Sequence, residues 1–368
     1  MQRSRALRGA AARLGVVAVV VGMLCGSPSA VLAQPGPLGP PTIVEVTAGD
    51  VRGLIEAVEA AAENPTTEIR IRRNEDGQLP PFTFRTRPDA PPNVLPPIRS
   101  VVRIVRPPGD PGFLVFENAL DAVGTRRFAE IAPGGVLRLG RVRLQGFGID
   151  GDGGVFRLIG NGMVRLSDCL ITGNAATARG GVFFAEAASA IFVERCIFDA
   201  NASGVGGAIV ATVEGGFFSI SDALFARNEA PNGCVAFQQA GAATELEFNG
   251  VIRNSTFAGG CGLLGGELIV NEAGRLVLHG NTVVGARTAL RANAPVRLFG
   301  NLISAALPTA KGDATSLCDG DNIESLGFNL AGDASCSLDQ ESDQPDTDAE
   351  AEFDGDTIVL KEGSGAID

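Results

Sequence analysis

Residues 167–174 read SDCLITGN, residues 194–201 read ERCIFDAN and residues 221–228 read SDALFARN, so one phrase recurs twice with a 27-residue period. Each phrase follows a short apolar alternation, VRL, IFV or FSI, and leads into a glycine-containing turn. Self-similarity at a fixed period of this length is typical of solenoid and other repeat proteins. The repeat therefore predicts the architecture before any search for a site.

The alternation of apolar and polar residues predicts short strands, which turns rather than helices separate. We expect each repeat unit to form one rung of a coil, with equivalent strands roughly 4.8 Å apart. The sequence thus predicts an all-β fold, a single-stranded parallel β-helix whose stacked rungs share one core. Three apolar columns would fill that core: Val164, Ile191 and Phe218; Leu166, Val193 and Ile220; Ile171, Phe198 and Phe225.

An asparagine closes each phrase at the same position, as Asn174, Asn201 and Asn228. Asparagine tolerates the left-handed backbone of a tight turn, and stacked side-chain amides can bond from one rung to the next. We interpret these residues as a structural asparagine ladder, with ligand binding as the alternative.

The N-terminus carries four arginines, an apolar run from Leu14 to Cys25 and the stretch SPSAVLA. This pattern is typical of a secretory signal peptide over 1–33, and the run is too short for a transmembrane span. We expect cleavage after Ala33, a linker over 34–41, and a secreted or cell-surface protein with no transmembrane segment. Loss of the signal would change the formal charge from −12 to −16, which disfavours nucleic acid as a partner.

The remainder of the chain divides into four predicted parts. Asp50 is a candidate N-cap, and Leu54, Ile55, Val58 and Ala62 follow on one helical face. We expect this helix to close the N-terminal end of a β-helix domain that covers 42–338. The parts are a capping helix at about 50–63, a repeat body at about 98–310, a disulfide tail at about 311–338, and an acidic tail at 339–368 that ends in a short strand.

The run FAEIAPGGVLRLGRVRLQGFGIDGDGGVFRLIGNGMVRLSDCLITGNAATARGG resembles the repeats of bacterial right-handed parallel β-helix proteins, related in pattern to polymorphic outer-membrane protein repeats. The tail, CDGDNIESLGFNLAGDASCSL with the closing EGSGAID, resembles the region called the choice-of-anchor Q domain. The resemblance covers roughly 42–368 and implies a right-handed coil, a capping helix and export. It implies no established reaction. The acidic stretch 339–356 departs from the pattern, in which this connection is more apolar.

Cys318 and Cys336 lie close together in the sequence, across a segment with Gly and Asp turns, and an exported protein can oxidise them. We predict that they form a disulfide that holds the C-terminal segment to the coil. Without this bridge, the last rung would depend mainly on Leu326, Phe328 and Leu330. The alternative is that these thiols pair with the cysteines that flank an inserted loop near 239–266.

Those flanking cysteines, Cys234 and Cys261, could instead bond to each other and staple the insertion. Cys169 and Cys196 fall in one inward slot of successive rungs, where the next rungs carry Ala223 and then Thr256. Both a bridge and a pair of buried thiols are consistent with that position.

Asp168, Arg195 and Asp222 precede the cysteine slot and predict a column of alternating charge. A β-helix enzyme that cleaves acidic polysaccharide needs cations or calcium-binding carboxylates, together with an arginine or lysine base, and this column offers both residue types. The alternative is a solvated salt-bridge ladder of little energetic weight. The lone histidine, His279, has no carboxylate in the adjacent phrase, so we expect any activity not to depend on it.

Oxygen-rich clusters at 148–154 (GIDGDGG) and 318–322 (CDGDN) make calcium the one cofactor that the sequence suggests, although neither matches a known calcium loop. The chain has 20 Phe but no Trp or Tyr, so it lacks the amphipathic rings typical of sugar-binding surfaces. The favoured function is structural, adhesive or matrix-binding, with polysaccharide or cell-surface components as partners. The alternative is a polysaccharide lyase or another enzyme acting on acidic polysaccharide.

Overall fold

The structure is a computed structural model, and it describes residues 39–85, 91–119, 126–186, 188–205, 207–213, 216–230, 235–239, 250–258, 267–286, 288–305, 316–347, 351–353 and 358–360. They belong to one unit, Gly39–Asp368. The predicted signal peptide, most of the linker and most of the insertion near 239–266 lie outside the described residues. So do Cys234 and Cys261.

Short apolar-polar strands stack in parallel into three long sheets, as the sequence period predicts. Sheet A contains Thr42–Thr47, Thr66–Arg72, Val101–Val105, Val136–Gly140, Met163–Ser167, Ala190–Glu194, Phe217–Ser221, Gly250–Arg253, Leu276–His279, Val296–Phe299 and Ile323–Ser325. Sheet B contains Phe82–Phe84, Leu114–Asn118, Val142–Gln145, Leu170–Thr172, Ile197–Asp199, Leu224–Ala226, Thr256–Ala258, Thr282–Ala286, Leu302–Ala305 and Leu330–Ala331. Sheet C contains Ala129–Ile131, Phe156–Leu158, Phe183–Ala185, Val210–Val213, Val235–Gln239, Glu267–Asn271, Thr288–Ala292 and Cys318–Asp319.

Two smaller sheets complete the described strands. Gly148–Ile149, Ala175–Ala176 and Ala202–Ser203, from three successive rungs, pair in parallel. Ala351–Phe353 and Ile358–Leu360 form an antiparallel pair within the acidic tail. The predicted parallel β-helix is therefore confirmed, and the tail contains two short strands rather than one.

The three predicted apolar columns form the interior of the coil. Val164 pairs with Ile191, and Ile191 with Phe218, in the register that the sequence period requires. The rings of Phe198 and Phe225 stack 5.1 Å apart, and the stack continues to Phe257. All of these side chains are buried, so successive rungs bury one continuous apolar surface.

The helix α1, Val51–Ala61, closes the N-terminal end of the core, as predicted. Asp50 is its N-cap and accepts a hydrogen bond from the Gly53 backbone N–H at 2.9 Å. The buried face consists of Leu54, Ala57, Val58 and Ala61, which join the main hydrophobic core. Ala62 is exposed and lies just beyond the helix, so the buried face ends at Ala61 and not at the predicted Ala62.

The asparagine ladder is confirmed as a hydrogen-bonded column in the buried turn after sheet B. The Asn174 side-chain N–H donates to Asn201 Oδ1 at 2.9 Å, and Asn201 donates to Asn228 Oδ1 at 3.0 Å. The asparagines do not themselves adopt the left-handed conformation; the preceding residue does, as Gly173, Ala200 or Arg227. The side-chain amide instead forms hydrogen bonds with buried backbone groups of the neighbouring rung.

The cysteine slot belongs to a second column of this kind, in the turn between sheets A and B. Cys196 Sγ accepts the Cys169 backbone N–H at 3.3 Å, and Ser255 Oγ accepts that of Ala223 at 3.2 Å. Ser255 therefore follows Ala223 in this column, whereas Thr256 pairs with Leu224, which corrects the predicted alignment by one residue. Cys169 and Cys196 are buried free thiols, and burial raises the pKa of the Cys196 thiol.

The C-terminal end carries the predicted Cys318–Cys336 disulfide, with a Cα–Cα distance of 4.8 Å. The prediction that Leu326 and Phe328 help to hold the last rung is wrong, because both side chains are exposed. The start of the acidic tail performs that role instead. Asp343 Oδ1 accepts the Asn329 backbone N–H at 2.9 Å, and the Gln344 N–H donates to the Asn329 carbonyl at 2.8 Å.

Candidate functional site: an arginine-lined groove on sheet A

In five successive rungs, the residue that directly follows the sheet A strand begins the turn towards sheet B, and together these residues form what we call the turn column: Arg141, Asp168, Arg195, Asp222 and Asn254. All five have positive φ values, between 48° and 54°, a left-handed conformation that is uncommon for residues other than glycine. The structure thus places the predicted Asp168, Arg195 and Asp222 in successive rungs at one edge of sheet A.

Within the turn column, Arg195 is engaged by carboxylates. Its Nε donates to Asp168 Oδ1 at 2.8 Å and its Nη2 donates to Asp168 Oδ2 at 3.2 Å, while Nη1 contacts Glu194. Hydrogen bonds from Arg195 lower the pKa of Asp168, and the pKa of Arg195 is raised by the same bonds. Arg195 therefore stays protonated and is unsuited to act as a base. The predicted alternation of charge is present, and Asp168 and Arg195 form an ion pair, whereas Asp222 forms none in the described structure.

The neighbouring strands carry a second column, the arginine column, which consists of Arg103, Arg138 and Arg165. These residues pair directly in the sheet register, Arg103 with Arg138 and Arg138 with Arg165. They point outward, because the residues on either side of each arginine in its strand are buried in the core. Their spacing along the coil axis is therefore roughly 4.8 Å per rung.

The arginine column is only partly neutralised. Arg103 Nη1 lies 3.3 Å from Glu68 Oε2. The Arg165 guanidinium stacks 4.5 Å from the ring centre of Phe192, the next residue in the same column. In the described part of the chain, no carboxylate forms an ion pair with Arg138 or Arg165.

A groove of about 1180 Å³, the arginine groove, runs over this column and along the turn column. The loop Arg106–Gly109, which follows the strand Val101–Val105, lines it together with residues of six rungs. Its charged lining residues comprise six arginines and three carboxylates: Arg103, Arg106, Arg138, Arg141, Arg165, Arg253, Asp168, Glu194 and Asp222. In a chain of net charge −12, this surface is locally basic.

The loop beside the groove is held in place by Asp110. Asp110 accepts from Arg73 and from the Gly112 backbone N–H, and it lies 4.0 Å from Arg106. The Arg106 side chain is only 10% exposed, and its Nη1 has no hydrogen-bond partner. A second groove of about 630 Å³, lined by Arg70, Arg72 and Arg73, shares Arg103 and this loop with the first. This second groove also contains Glu45 and Glu68, and each of its three arginines named here pairs with a carboxylate, so its charge is largely neutralised.

Other predicted site residues lie elsewhere. His279 is exposed on sheet A, one rung beyond Arg253, and contacts the Phe299 ring. In the cluster 148–154, Asp150 accepts from Thr177 Oγ1 at 2.7 Å, and Asp152 binds Arg179. Among the residues that the structure describes, no group of three or more His, Cys, Asp or Glu side chains is arranged to hold a metal ion.

The arginine column was missed at the sequence level, although a signal for it exists. VVRIV, VLRLG and MVRLS each carry arginine at the third position of an alternating strand, which is the outward position. The spacing from Arg103 to Arg138 departs from the 27-residue period, so a search at fixed period finds only Arg138 and Arg165. The position of the loop at 106–109 beside the column has no sequence signal.

Comparison with family models, curated proteins and solved structures gives no significant match to this chain. Within the described residues, no helix combines the length and the apolar character needed to cross a membrane. Function must therefore be inferred from the groove itself.

Proposed function

We propose that this chain is an exported, secreted or cell-surface β-helix protein with a matrix-binding role, and that it binds acidic polysaccharide in the arginine groove without cleaving it. The arginine column is the observation that carries this proposal. Like charges opposite one another on a sheet are destabilising. Three arginines in adjacent rungs, two of them without a carboxylate partner in the described structure, are therefore best explained by an external anion.

The chemistry of the groove suits a repeating, moderately charged polymer. Guanidinium groups bind carboxylate and sulfate in a two-pronged geometry, and regular rungs repeat such a group along the coil axis. Phe192 lines the same groove and offers a half-buried apolar surface to a sugar ring. The remainder of the protein is acidic and repels a polyanion more strongly when the polyanion has a higher charge density. This repulsion disfavours nucleic acid more than a polymer with one charge per sugar.

The ion pair between Asp168 and Arg195 argues against the lyase alternative at the predicted residues. Cleavage would require a base close to Asp168 and Asp222, and Arg195 is held in its protonated form by Asp168 and Glu194. We therefore propose that the polysaccharide is a bound partner and not a substrate.

The test is titration calorimetry with uronate oligosaccharides, with and without calcium, on the wild-type protein and on Arg165→Ala. Loss of one charge-assisted contact should weaken binding roughly tenfold. Arg227→Ala is the matched control, because Arg227 pairs with Asp199 on sheet B and should leave affinity unchanged. Equal affinity of wild type and Arg165→Ala would refute the groove as the site, and formation of unsaturated products would support the lyase alternative.

A further inference from the structure

Three aromatic rings form an exposed strip at the C-terminal end of sheet A, which we call the aromatic strip: His279, Phe299 and Phe328. The His279 and Phe299 ring centres lie 5.0 Å apart, and those of Phe299 and Phe328 lie 5.7 Å apart. Phe328 is 68% exposed and Phe299 is 36% exposed, whereas most phenylalanines that the structure describes are buried in the core.

The exposed Phe328 has a strained backbone conformation. Its φ is 60°, and it occupies the turn position that the two preceding rungs fill with glycine, Gly280 at 65° and Gly300 at 63°. The turn column has the same left-handed conformation with polar residues, so the unusual feature at Phe328 is a bulky apolar side chain at this turn position. The Phe328 backbone N–H donates to Ser342 Oγ at 3.1 Å, so the acidic tail holds the strained turn in place. A Cβ built at Gly300 meets no atom within 4 Å, which leaves the surface beside the ring open.

The aromatic strip continues the edge of the arginine groove. Arg253, which lines the groove, pairs in register with His279, and His279 pairs with Phe299. Arg297, two residues before Phe299 in the same strand, forms an ion pair with Glu324 at 2.7 Å. The polymer path would therefore pass from a cationic segment to an aromatic segment on the same edge of the coil.

We propose that the aromatic strip is a second subsite of the same acidic polysaccharide, where sugar rings stack on Phe299 and Phe328. This inference rests on the proposed function and adds the direction and extent of the bound chain. Continuity with the groove favours this occupant over a second copy of the protein. Three aromatic side chains bury at most about 600 Å² even when fully covered, less than the roughly 800 Å² per partner of a stable interface.

The experiment compares Phe328→Gly, Phe299→Ala and the wild type in titrations with a long uronate oligosaccharide and with a disaccharide. Glycine suits the left-handed turn, so Phe328→Gly should fold at least as well as the wild type. We expect about tenfold weaker binding of the long ligand for either variant and unchanged binding of the disaccharide, which the arginine groove can hold alone. Phe113→Ala is the matched control, because Phe113 is 43% exposed and belongs to neither the groove lining nor the strip.

Salt dependence separates this inference from the function on which it rests. Stacking involves no counterion release, so Phe328→Gly should keep the wild-type slope of log affinity against log salt, whereas Arg165→Ala should lower it by about one. Equal affinity of Phe328→Gly and the wild type for the long ligand, with Arg165→Ala impaired, would overturn the strip alone. If the wild type binds no acidic polysaccharide, both proposals fall. A wild-type dimer that Phe328→Gly makes monomeric would identify the strip as a protein interface and contradict the proposal.

Discussion

The turn column and the arginine column lie side by side on sheet A and follow opposite rules of charge. In the turn column, Asp168, Arg195 and Asp222 alternate, and Arg195 binds Asp168. In the arginine column, Arg103, Arg138 and Arg165 repeat one charge across three adjacent rungs. The same stacking geometry therefore brings opposite charges together in one column, where Asp168 and Arg195 form an ion pair, and like charges together in the other, where Arg138 and Arg165 form no ion pair in the described structure.

This difference teaches where to look for a ligand in a β-helix. Stacking forces side chains in equivalent positions together, so a sequence selected only for stability should alternate charges or use neutral residues. A column that breaks this rule is where we propose that a partner from outside the coil binds. The residues first suggested by their chemistry, Asp168, Arg195 and Asp222, obey the rule, and the arginines next to them do not.

The largest expected effect comes from reversing the unsatisfied column. Arg138→Glu combined with Arg165→Glu should weaken binding of a uronate oligosaccharide at least about a hundredfold, because two attractive contacts become repulsive. Calorimetry measures the affinity, and a thermal melt should show an intact fold. The comparison between columns would fail if the double variant bound as tightly as the wild type.

The next effect concerns stability and lies in the turn column. Asp168→Asn removes the ion pair with Arg195, and because both side chains are substantially exposed we expect only the small loss in the free energy of unfolding that is typical of surface ion pairs. Asp222→Asn is the control, since it makes the same charge change at the same turn position and no ion pair of Asp222 is seen in the described structure. Urea denaturation should separate the two variants, and an equal loss for both would show that the pair of Asp168 and Arg195 has no specific pairing energy.

Acid titration gives a smaller effect with a defined sign. Arg195 lowers the folded-state pKa of Asp168 below its unfolded value of about 3.9. The resulting stability is fully present above the unfolded pKa and is lost as the pH falls through the folded pKa. In urea melts below about pH 4, the wild type should therefore lose stability more steeply than Asp168→Asn. Parallel pH profiles of the two proteins would contradict the assigned shift.

Much of the coil is predictable from sequence because the period sets the register. The 27-residue period places Val164, Ile191 and Phe218 in one column, and alternation decides which side faces inward. The Cys318–Cys336 disulfide follows from a short spacing across turn-rich sequence. These features depend on local pattern and on repetition, both of which the sequence displays directly.

The groove is less predictable because its parts come from irregular stretches. The loop Arg106–Gly109 lies in a proline-rich segment without periodicity, and Arg103 precedes the regular repeats. The sequence predicts that Phe328 helps to hold the last rung. In the structure a left-handed turn at Phe328 reverses that expectation, and hydrogen bonds to Ser342 and Asp343 in the acidic tail, which have no sequence signature, hold the turn.

The smallest expected effect sharpens the comparison most directly, because it asks whether the arginine column destabilises the unliganded protein. Arg138 lies between Arg103 and Arg165, so an uncharged residue of similar length at this position removes two contacts between like charges. Arg138→Met keeps the apolar stem that covers the sheet, and we expect it to raise the free energy of unfolding by a few tenths of a kcal/mol at low salt. The gain should vanish at high salt, where the repulsion is screened.

Arg227→Met is the matched control for this stability effect, because Arg227 pairs with Asp199 and its loss should stabilise nothing. Urea denaturation at two salt concentrations measures both variants. A salt-dependent gain for Arg138→Met alone, together with weaker binding of the oligosaccharide, would mean that the column opposes folding and serves a ligand. A loss of stability in Arg138→Met would mean instead that the arginines support the coil, and the contrast with the turn column would no longer point to function.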